Sequence, residues 1–339
     1  MRLSIIVPVY NMAADNKLQF CLDSLLNQNL DDYEIIAVDD CSTDNSADIL
    51  REYEKEYAPK ITAVFSEKNG HQGAAKNKGL LRASGEWIGF IDSDDWASPD
   101  MYGKLLKRAE ETGADVVGCD FSLVYDHTYE VGTVVPNNRD DQIGQLDTAR
   151  RKSLILDGGS LCLKIYKRER ILRDKLFFPE NIFYEDNAVG NSYLVMANHF
   201  EYVKEPLYYY YQHNTSTVHT VTKVRCKDRM DAGVLMLEDA KARGYYEEFK
   251  EEIDYKFIIL YYTNTLFSYV REGKHIDVKF VKNIGEGLLK YVPDFRSNKY
   301  FIERISAEEK KMADLHLKHP MLFIVYYRAL WAYRKLRSR

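Results

Sequence analysis

Acidic and amide side chains follow four apolar runs in the first hundred residues, at the point where each run ends. The four groups are Tyr10-Asn11, Asp39-Asp40, Asn69-Gly70 and Asp92-Ser93-Asp94. Carboxylates gathered on one rim repel one another unless a cation joins them. A divalent cation bound through oxygen, with water and phosphate oxygens completing its shell, satisfies such a set. The alternative is a rim of solvated, turn-forming aspartates, and it stays open for Asp39-Asp40 taken alone.

The elements that carry these groups alternate between strands and helices. Apolar runs at 3–9, 34–38, 61–65, 87–91 and 115–124 are predicted strands, and helix-like stretches separate them. This alternation predicts a mostly parallel sheet covered on both faces, with ligands beyond the carboxyl ends of its strands. Further strands are predicted at 161–166, 199–203 and 207–211, with a helix at 185–196. Beyond residue 222 the pattern predicts helices alone, at 224–243, 247–271, 278–291 and 307–319.

Composition excludes several classes of protein. The 339 residues carry 47 basic and 52 acidic side chains, a net charge of −5, which argues against a nucleic-acid partner. The five cysteines are scattered without a CxxC pair, so we expect no disulfide framework and a reducing compartment. The first apolar run stops at Pro8 and is expected to be a buried strand rather than a signal peptide. No stretch reaches the ~20 apolar residues that span a bilayer.

Six ordered motifs resemble those of family 2 glycosyltransferases. They are SIIVPVYN at 4–11, VDDCSTD at 38–44, GAAKNKG at 73–79, FIDSDDW at 90–96, YED at 184–186 and PLYYY at 206–210. The resemblance covers about the first 217 residues. It implies an α/β fold of the GT-A (nucleotide-diphospho-sugar transferase-like) type, with helices on both faces of the sheet. Residues 1–220 would form the catalytic domain, with a nucleotide-sugar-binding half at 1–125 and an acceptor-binding half at 126–220. Residues 221–339 would form an all-helical C-terminal region.

The resemblance also implies roles for single residues. Asp94 would bind Mn²⁺ or Mg²⁺, and Asp186 would be the general base, with Glu185 and Asp39 supporting the site. Lys76 stands where the family usually has arginine; it keeps the charge and lacks the planar fork of two donors. The nucleotide-sugar donor would contact Pro8, Tyr10, Asp40, Asn69, Lys76, Asp92 and Ser93.

The chemistry of sugar transfer explains these residue types. A nucleoside-diphosphate leaving group gains negative charge as the sugar–oxygen bond breaks, and a cation on the phosphates stabilises that charge. One carboxylate can take the proton of the attacking hydroxyl, which predicts inversion at the anomeric carbon. A buried Glu185-Asp186 pair would raise the pKa of one member. The same two acids are also typical of a helix start, where they favour the macrodipole.

Three further features have both a functional and a structural interpretation. His213 and Ser216 follow the last predicted strand, where His213 would be a metal ligand and Ser216 a diphosphate contact, or both would be surface residues. Lys164 would face the acceptor or be solvated. The run Tyr208 to Tyr211 would alternate across its strand, with an outward pair stacking on acceptor sugars or packing in the protein.

The C-terminal segment combines an apolar stretch with a basic end. Residues 321–327 are apolar, and Arg328, Arg334, Lys335, Arg337 and Arg339 follow with no acid among them. An amphipathic helix over 320–339 with a basic end is typical of a membrane-surface anchor. The alternatives are a helix packed on its neighbours and a contact between copies of the chain.

Two rival functions accompany the glycosyltransferase prediction. Asp92-Ser93-Asp94 also resembles the nucleophile motif of haloacid-dehalogenase-like phosphatases, which place it on their first strand, before a Gly-Thr-like turn. A non-catalytic sugar-binding protein on the same fold is the other rival. The sequence predicts a metal-dependent, inverting enzyme that moves a sugar from a nucleotide-diphosphate donor, UDP by analogy. Its acceptor would be a hydroxyl of a polysaccharide, a teichoic-acid-like polymer or a lipid-linked glycan. We expect a cytoplasmic protein, peripheral at the inner face of the plasma membrane if its C-terminal helix binds lipid.

Overall fold

A computed structural model describes residues 1–212 and 221–337. The chain divides into two compact units, Met1–Asn214 and Thr215–Arg339. The predicted boundary after residue 220 stands at the end of a stretch, 213–220, that lies outside the described residues. His213 and Ser216 belong to that stretch, so their predicted roles lie outside the described residues as well.

A ten-stranded sheet is the centre of the first unit. Eight strands follow the order β3-β2-β1-β4-β9-β6-β10-β5, while β7 pairs with β6 and β8 with β10. The pairs β1–β2, β2–β3, β1–β4 and β6–β10 are parallel. The strands are β1 Leu3–Val9, β2 Tyr33–Asp39, β3 Ile61–Phe65, β4 Trp87–Phe90, β5 Trp96–Ala97, β6 Val116–Val124, β7 Thr133–Val135, β8 Gly144–Gln145, β9 Lys164–Lys167 and β10 His199–Tyr211.

The register of the parallel strands brings the polar segments to one edge. All seven residues of β1 are buried, as expected for a strand covered on both faces. Val9 lies opposite Asp39, and Asp39 lies opposite Phe65 on the next strand. The backbone continues this pattern past the strand ends, since the amide of Asp40 donates to the carbonyl of Val9 at 2.8 Å. The predicted strands at 3–9 and 61–65 are confirmed residue for residue.

Seven α-helices connect the strands of the first unit. They are α1 Lys17–Leu26, α2 Ser46–Tyr57, α3 His71–Arg82, α4 Met101–Thr112, α5 Thr148–Asp157, α6 Arg168–Arg173 and α7 Glu185–Val195. Helix α3 lies so close to β1 that a Cβ at Gly79 would collide with the side chain of Ile6. This close approach fixes α3 against the centre of the sheet, with its N-terminus at the edge where the polar segments end.

Two predicted strand boundaries were wrong. Residues 161–163 form a 3-10 turn, and only Lys164–Lys167 form a strand, antiparallel to β4 and β6. The hydroxyl of Ser160 accepts a hydrogen bond from the amide of Cys162, which caps the turn and delays the strand. The separate strands at 199–203 and 207–211 are one strand, β10, whose register against β6 shifts between Val203 and Tyr208.

The second unit is helical throughout its described residues. Its helices are α8 Lys223–Ala242, α9 Lys250–Phe257, α10 Asn264–Glu272, α11 Val278–Tyr291, α12 Lys299–Arg304, α13 Ala307–Lys318 and α14 Pro320–Arg337. A π-helical turn, Ile258–Thr263, joins α9 to α10, so the predicted helix at 247–271 is nearly continuous. Within 1–212 and 221–337, no helix combines the length and apolar character that a membrane span requires.

Candidate active site

The first half of α3 contacts acids or acid-bearing loops from three separate segments of the chain. The amide of Gly70, which precedes the helix, donates to both carboxylate oxygens of Asp40, at 3.1 and 2.9 Å. Two residues into the helix, the side-chain amide of Gln72 lies 3.4 Å from a carboxylate oxygen of Asp92. One turn later, Lys76 meets Glu185. The N-terminal half of α3 and the glycine before it therefore contact acids from three distant parts of the sequence, and the role of these acids in a donor site stays a prediction.

The pKa of the Asp92 carboxyl group shows that other acids lie close to it. Burial raises the pKa of Asp92 to about 6, and Lys76 opposes this shift. Asp94, Glu185 and Asp186 add to the increase through charge repulsion. Because these acids act on the same carboxyl group, Asp94 and Asp186 share one neighbourhood although they lie about ninety residues apart in the sequence.

A buried ion pair ties α3 to the start of α7. The Lys76 ammonium lies 2.7 Å from Glu185 Oε1, and both side chains are at least 95% shielded from solvent. Burial alone would lower the pKa of Lys76, but the carboxylate of Glu185 more than reverses this effect and raises it. The ammonium is thus a permanent charge that is already engaged by a protein carboxylate. Its predicted contact with the nucleotide stays a prediction.

Helix α3 also holds the loop at 177–184 that leads to Glu185. Asn77 Nδ2 donates to the carbonyl of Phe178, and Asn77 Oδ1 accepts from the amide of Phe178, both at 2.9 Å. The amide of Asn181 donates to the carbonyl of Gly70 at 2.8 Å. A Cβ at Gly73 would collide with the carbonyl oxygen of Pro179, so the loop and the helix are in direct backbone contact. These contacts leave the loop little freedom to move away from α3.

Asp186 stands in the first turn of α7 and is half-buried. Tyr184 adopts a left-handed conformation, with φ of 66°, at the residue before the helix. Asp186 Oδ1 accepts hydrogen bonds from the backbone amide of Asn187 at 2.9 Å and from its side chain at 2.8 Å. The carboxylate is therefore fixed in direction. Glu185 points instead to Lys76, so the two neighbouring acids have separate partners.

The end of β2 and the loop after β1 form the other side of this edge. Asp40 is 2% exposed, and Asn69 donates to its backbone carbonyl at 3.1 Å. Asp39 accepts from the amide of Ser42 through Oδ2 at 3.2 Å, while its buried Oδ1 has no partner among the described residues. Pro8 is buried within β1, and Tyr10 is 44% exposed.

The loop after Tyr10 is fastened to the loop after β2. Asn11 has a left-handed backbone, with φ of 55°, and its amide donates to the hydroxyl of Ser42 at 3.0 Å. Its side-chain oxygen accepts from the amide of Thr43 at 2.8 Å. The two hydrogen bonds of Asn11 fix the backbone beside the exposed ring of Tyr10. A ring on a fixed backbone suits stacking on a ligand.

Asp95 lies near the acids and had no predicted role, whereas Tyr208 belongs to the tyrosine run that was expected to stack on sugars or pack in the protein. Asp95 is 2% exposed; its carboxylate accepts from the Tyr208 hydroxyl at 2.6 Å and from the amide of Tyr211 at 2.9 Å. The Tyr208 hydroxyl also lies 3.4 Å from the amide of Asp92. These bonds fix the loop at 92–95 to β10. The run of four tyrosines was the available signal, and it had been interpreted either as a sugar-stacking surface or as packing in the protein. Tyr209 packs in the protein, where it stacks on Trp96.

A divalent cation fits this site only if the carboxylates of the protein and a bound ligand coordinate it together. Among residues 1–212 and 221–337, no three His, Cys, Asp or Glu side chains are grouped as a metal site. Mg²⁺ typically takes one or two carboxylates and completes its shell with water and substrate phosphates. Asp92 and Asp94 lie near further acids and could supply the one or two carboxylates that such a cation needs. They do not suit a permanent all-protein site.

Comparison with known proteins assigns the family. A sequence model of glycosyl transferase family 2 matches residues 4–170. EpsH of Bacillus subtilis, which bears the name of a glycosyltransferase, is 33% identical over 274 residues, covering 76% of this chain and 74% of that protein. The chain belongs to glycosyl transferase family 2. The resemblance inferred from the six motifs is thereby confirmed, and the chain is a glycosyltransferase by family.

Two further relatives of this family 2 glycosyltransferase extend over nearly the whole chain. Poly(ribitol-phosphate) beta-glucosyltransferase of Bacillus spizizenii is 27% identical, over 96% of this chain and 48% of that protein. The crystal structure of residues 1–349 of TarS from S. aureus, in complex with UDP-GlcNAc, covers 99% of this chain and 92% of its own. It matches with a TM-score of 0.68 at 20% identity. The predicted GT-A fold, a mostly parallel sheet with helices followed by a helical part, is confirmed.

Proposed function

We propose that the chain transfers a sugar, with inversion, from a nucleotide-diphosphate donor to a hydroxyl of a glycan acceptor, and that it needs a divalent cation. The observation that carries this proposal is the electrostatic environment of Asp92. Asp94, Glu185 and Asp186 all raise its pKa, and Lys76, which lowers it, is paired with Glu185. The proposal thus starts from an excess of negative charge around a predicted diphosphate site.

The charge balance supports the need for a cation. Among the described residues whose charges act on the carboxyl group of Asp92, three are acids and one is a lysine, Lys76, which Glu185 neutralises. A diphosphate adds further negative charge and would be repelled without a counter-ion. Mn²⁺ or Mg²⁺ would be held by Asp94, with Asp92 beside it, and when bound would neutralise charge on the leaving diphosphate.

The position of Asp186 supports its role as the general base. The carboxylate is half-buried, and Asn187 fixes its direction through two hydrogen bonds. A carboxylate held in one orientation can accept the proton of an acceptor hydroxyl as that oxygen attacks the sugar. A single base and attack opposite to the leaving diphosphate give inversion at the anomeric carbon. The Lys76–Glu185 pair and the contacts of Asn77 hold the turn that carries this base.

The relatives support the classes of donor and acceptor. TarS of S. aureus is described in complex with UDP-GlcNAc, and we propose a UDP-sugar donor here, contacted by Pro8, Tyr10, Asp40, Asn69 and Ser93. The Bacillus spizizenii relative is named for poly(ribitol-phosphate), which supports a teichoic-acid-like polymer or a related polysaccharide or lipid-linked glycan as acceptor. A nucleotide-sugar donor and five free cysteines suit a cytoplasmic enzyme.

A donor screen followed by a turnover assay tests this function. Thermal stability is measured with UDP-, GDP- and dTDP-sugars, with and without Mn²⁺, and release of nucleotide diphosphate is then followed with a polyol-phosphate or glycan acceptor. We expect a stabilising UDP-sugar only with the metal, and a product of inverted anomeric configuration. Phosphate release without an acceptor would favour the phosphatase alternative. Donor binding without consumption, for every acceptor tried, would favour the sugar-binding alternative.

A further inference from the structure

The last described helix, α14, has two apolar faces, and the described residues of the chain cover only one of them. Phe323, Ile324 and Tyr327 are buried, and the rings of Phe323 and Tyr327 lie 6.0 and 5.1 Å from the ring of Phe267 on α10. This inner face explains why the helix is docked within the second unit. Packing against the described residues does not explain why the opposite side of the helix is apolar as well.

The outer face of α14 is a continuous apolar stripe. The stripe contains Leu322, Val325, Tyr326, Tyr333 and Leu336, which follow one another at spacings of one or three residues apart from a gap that Ala329 and Ala332 fill. At about 100° per residue, these positions and Met321 fall on one side of the helix, opposite the inner face. Their exposed fractions run from 48% for Tyr326 to 74% for Leu336. A stripe of this length is unusual for a surface that faces only water.

Basic side chains border this stripe. At the same angular step, Arg328 and Lys335 fall along one margin of the stripe and Arg337 along the other. All three are exposed, and Arg328 also donates to the carbonyl of Gly273 at 3.3 Å. Arg334 lies toward the inner side, where it pairs with Glu308 at 2.7 Å. The eighteen residues of α14 include no aspartate and no glutamate. The outer surface of the helix is therefore apolar at its centre and positive at both edges.

We propose that the outer face of α14 binds the surface of an anionic lipid bilayer, with the helix lying in the plane of the membrane. An interfacial helix needs an apolar face to enter the acyl boundary and basic residues level with the lipid headgroups, and α14 has both. The net charge of the chain is −5, so the attraction must come from this local positive surface rather than from the protein as a whole. The proposal does not depend on the donor, the metal or the base proposed above.

Vesicle co-sedimentation of the full chain tests this proposal. The probes are vesicles of phosphatidylcholine alone and of phosphatidylcholine with about one-third phosphatidylglycerol, at low and at physiological salt. We expect binding to the anionic vesicles, weakened by salt. Arg328→Gln with Lys335→Gln is expected to lower the partition coefficient about 25-fold, since each basic residue near an anionic surface contributes about fivefold. Lys279→Gln with Lys290→Gln, two exposed lysines of α11, is the matched control and is expected to change it less than twofold.

A second pair of variants tests the apolar stripe. Val325→Glu with Leu336→Glu places charges at two exposed positions of the outer face and is expected to abolish binding. Ile302→Glu, at an exposed residue of α12 (53% exposed), is its control and is expected to bind as the parent chain does. Unchanged melting temperatures would show that all variants fold. The proposal is wrong if the parent chain does not sediment with anionic vesicles, or if the α14 variants bind them as well as the parent chain does. It is equally wrong if the chain is a dimer in solution that Val325→Glu with Leu336→Glu separates, because the stripe would then be a self-association surface.

Discussion

Three lysines are buried in the first unit, Lys17, Lys76 and Lys164, and the surroundings of the last two differ in one respect. Lys76 on α3 meets the carboxylate of Glu185, and its pKa is raised. Lys164 on β9 is 0% exposed and donates only to the backbone carbonyl of Ser160, at 2.7 Å. Among the described residues Lys164 has no carboxylate partner, and burial lowers its pKa to about 7. The same side chain is thus a fixed charge in one place and only about half-protonated near pH 7 in the other.

This difference gives the two lysines different roles. Lys76 positions parts of the site, whereas the burial of Lys164 only lowers the stability of the protein. The pair of Lys76 with Glu185 joins two helices that bring together Asp92 and the predicted base, Asp186. The hydrogen bond of the Lys164 ammonium does not join two helices of the site. Its single neutral acceptor compensates only partly for the loss of water around the ammonium. Removing the partner of Lys76 should therefore damage stability and activity together. Removing Lys164 should improve stability and leave activity nearly unchanged.

The largest effect is expected for Glu185→Gln. This change leaves the Lys76 ammonium buried without its counter-charge, which typically destabilises a protein by about 3–5 kcal/mol. We expect a drop of this size in the free energy of unfolding by urea titration, and a loss of transfer of at least about 100-fold. Glu67→Gln, at an exposed acid of the same edge, is the control and should leave both values unchanged. A fully stable Glu185→Gln protein would show that the ion pair is not what fixes α3 to α7.

A smaller effect is expected for Asn77→Ala. Two hydrogen bonds to the backbone of Phe178 are lost, and the amide and carbonyl of that buried residue are left without them. The cost is about 1–3 kcal/mol. Because the loop at 177–184 leads to Asp186, we expect kcat to fall about tenfold while KM for the donor changes little. An equal fall in kcat/KM through KM alone would contradict a positioning role.

Lys164→Met tests the other half of the comparison, and here the sign is reversed. Between pH 7 and 10.5 the unfolded chain binds a proton that the folded chain releases, so stability rises with pH in this window. Methionine removes the ammonium, and we expect a gain of about 1–3 kcal/mol at pH 7 that shrinks toward pH 10. Transfer should stay within about twofold. Lys55→Met, at an exposed lysine of α2, should show neither gain nor pH dependence.

The smallest effect on stability is expected when both partners of the ion pair are replaced. In Lys76→Met with Glu185→Gln no buried charge remains unpaired, and replacing a buried pair by uncharged groups is often close to neutral. We expect unfolding free energies within about 1.5 kcal/mol of the parent chain, with transfer still impaired because α7 has lost its anchor. If the double variant is as unstable as Glu185→Gln, the destabilisation does not arise from the lone ammonium.

Much of this architecture was predictable from local pattern. The buried runs at 3–9 and 61–65 and the acids after residue 91 follow directly from the sequence, because burial on both faces and strand ends leave local signals. The contact between Lys76 and Glu185 spans 109 residues, and the sequence around either residue does not predict the contact. The bond from Tyr208 to Asp95 spans 113 residues. Such pairings depend on how α3, α7 and β10 pack, which periodicity does not encode.

Lys164 shows the converse failure. From sequence it was expected to face the acceptor or to be solvated, since lysine is among the residues least often buried without a partner. It lies instead within β9, between β4 and β6 at the centre of the sheet. The 3-10 turn capped by Ser160 sets where β9 begins. A one-residue shift in the register of β9 against β4 and β6 would reverse the face on which Lys164 lies.

The central claim is that acids from distant segments form one cation-dependent donor site with a separate base. Calorimetric titration of a UDP-sugar in the presence and absence of Mn²⁺ tests it on the parent chain, Asp94→Asn and Asp186→Asn. We predict that Asp94→Asn loses the metal-dependent part of the affinity, about 100-fold, while Asp186→Asn binds the donor within about threefold of the parent and transfers no sugar. Donor binding that is insensitive to Mn²⁺ and to Asp94→Asn, or that Asp186→Asn abolishes, would contradict the account.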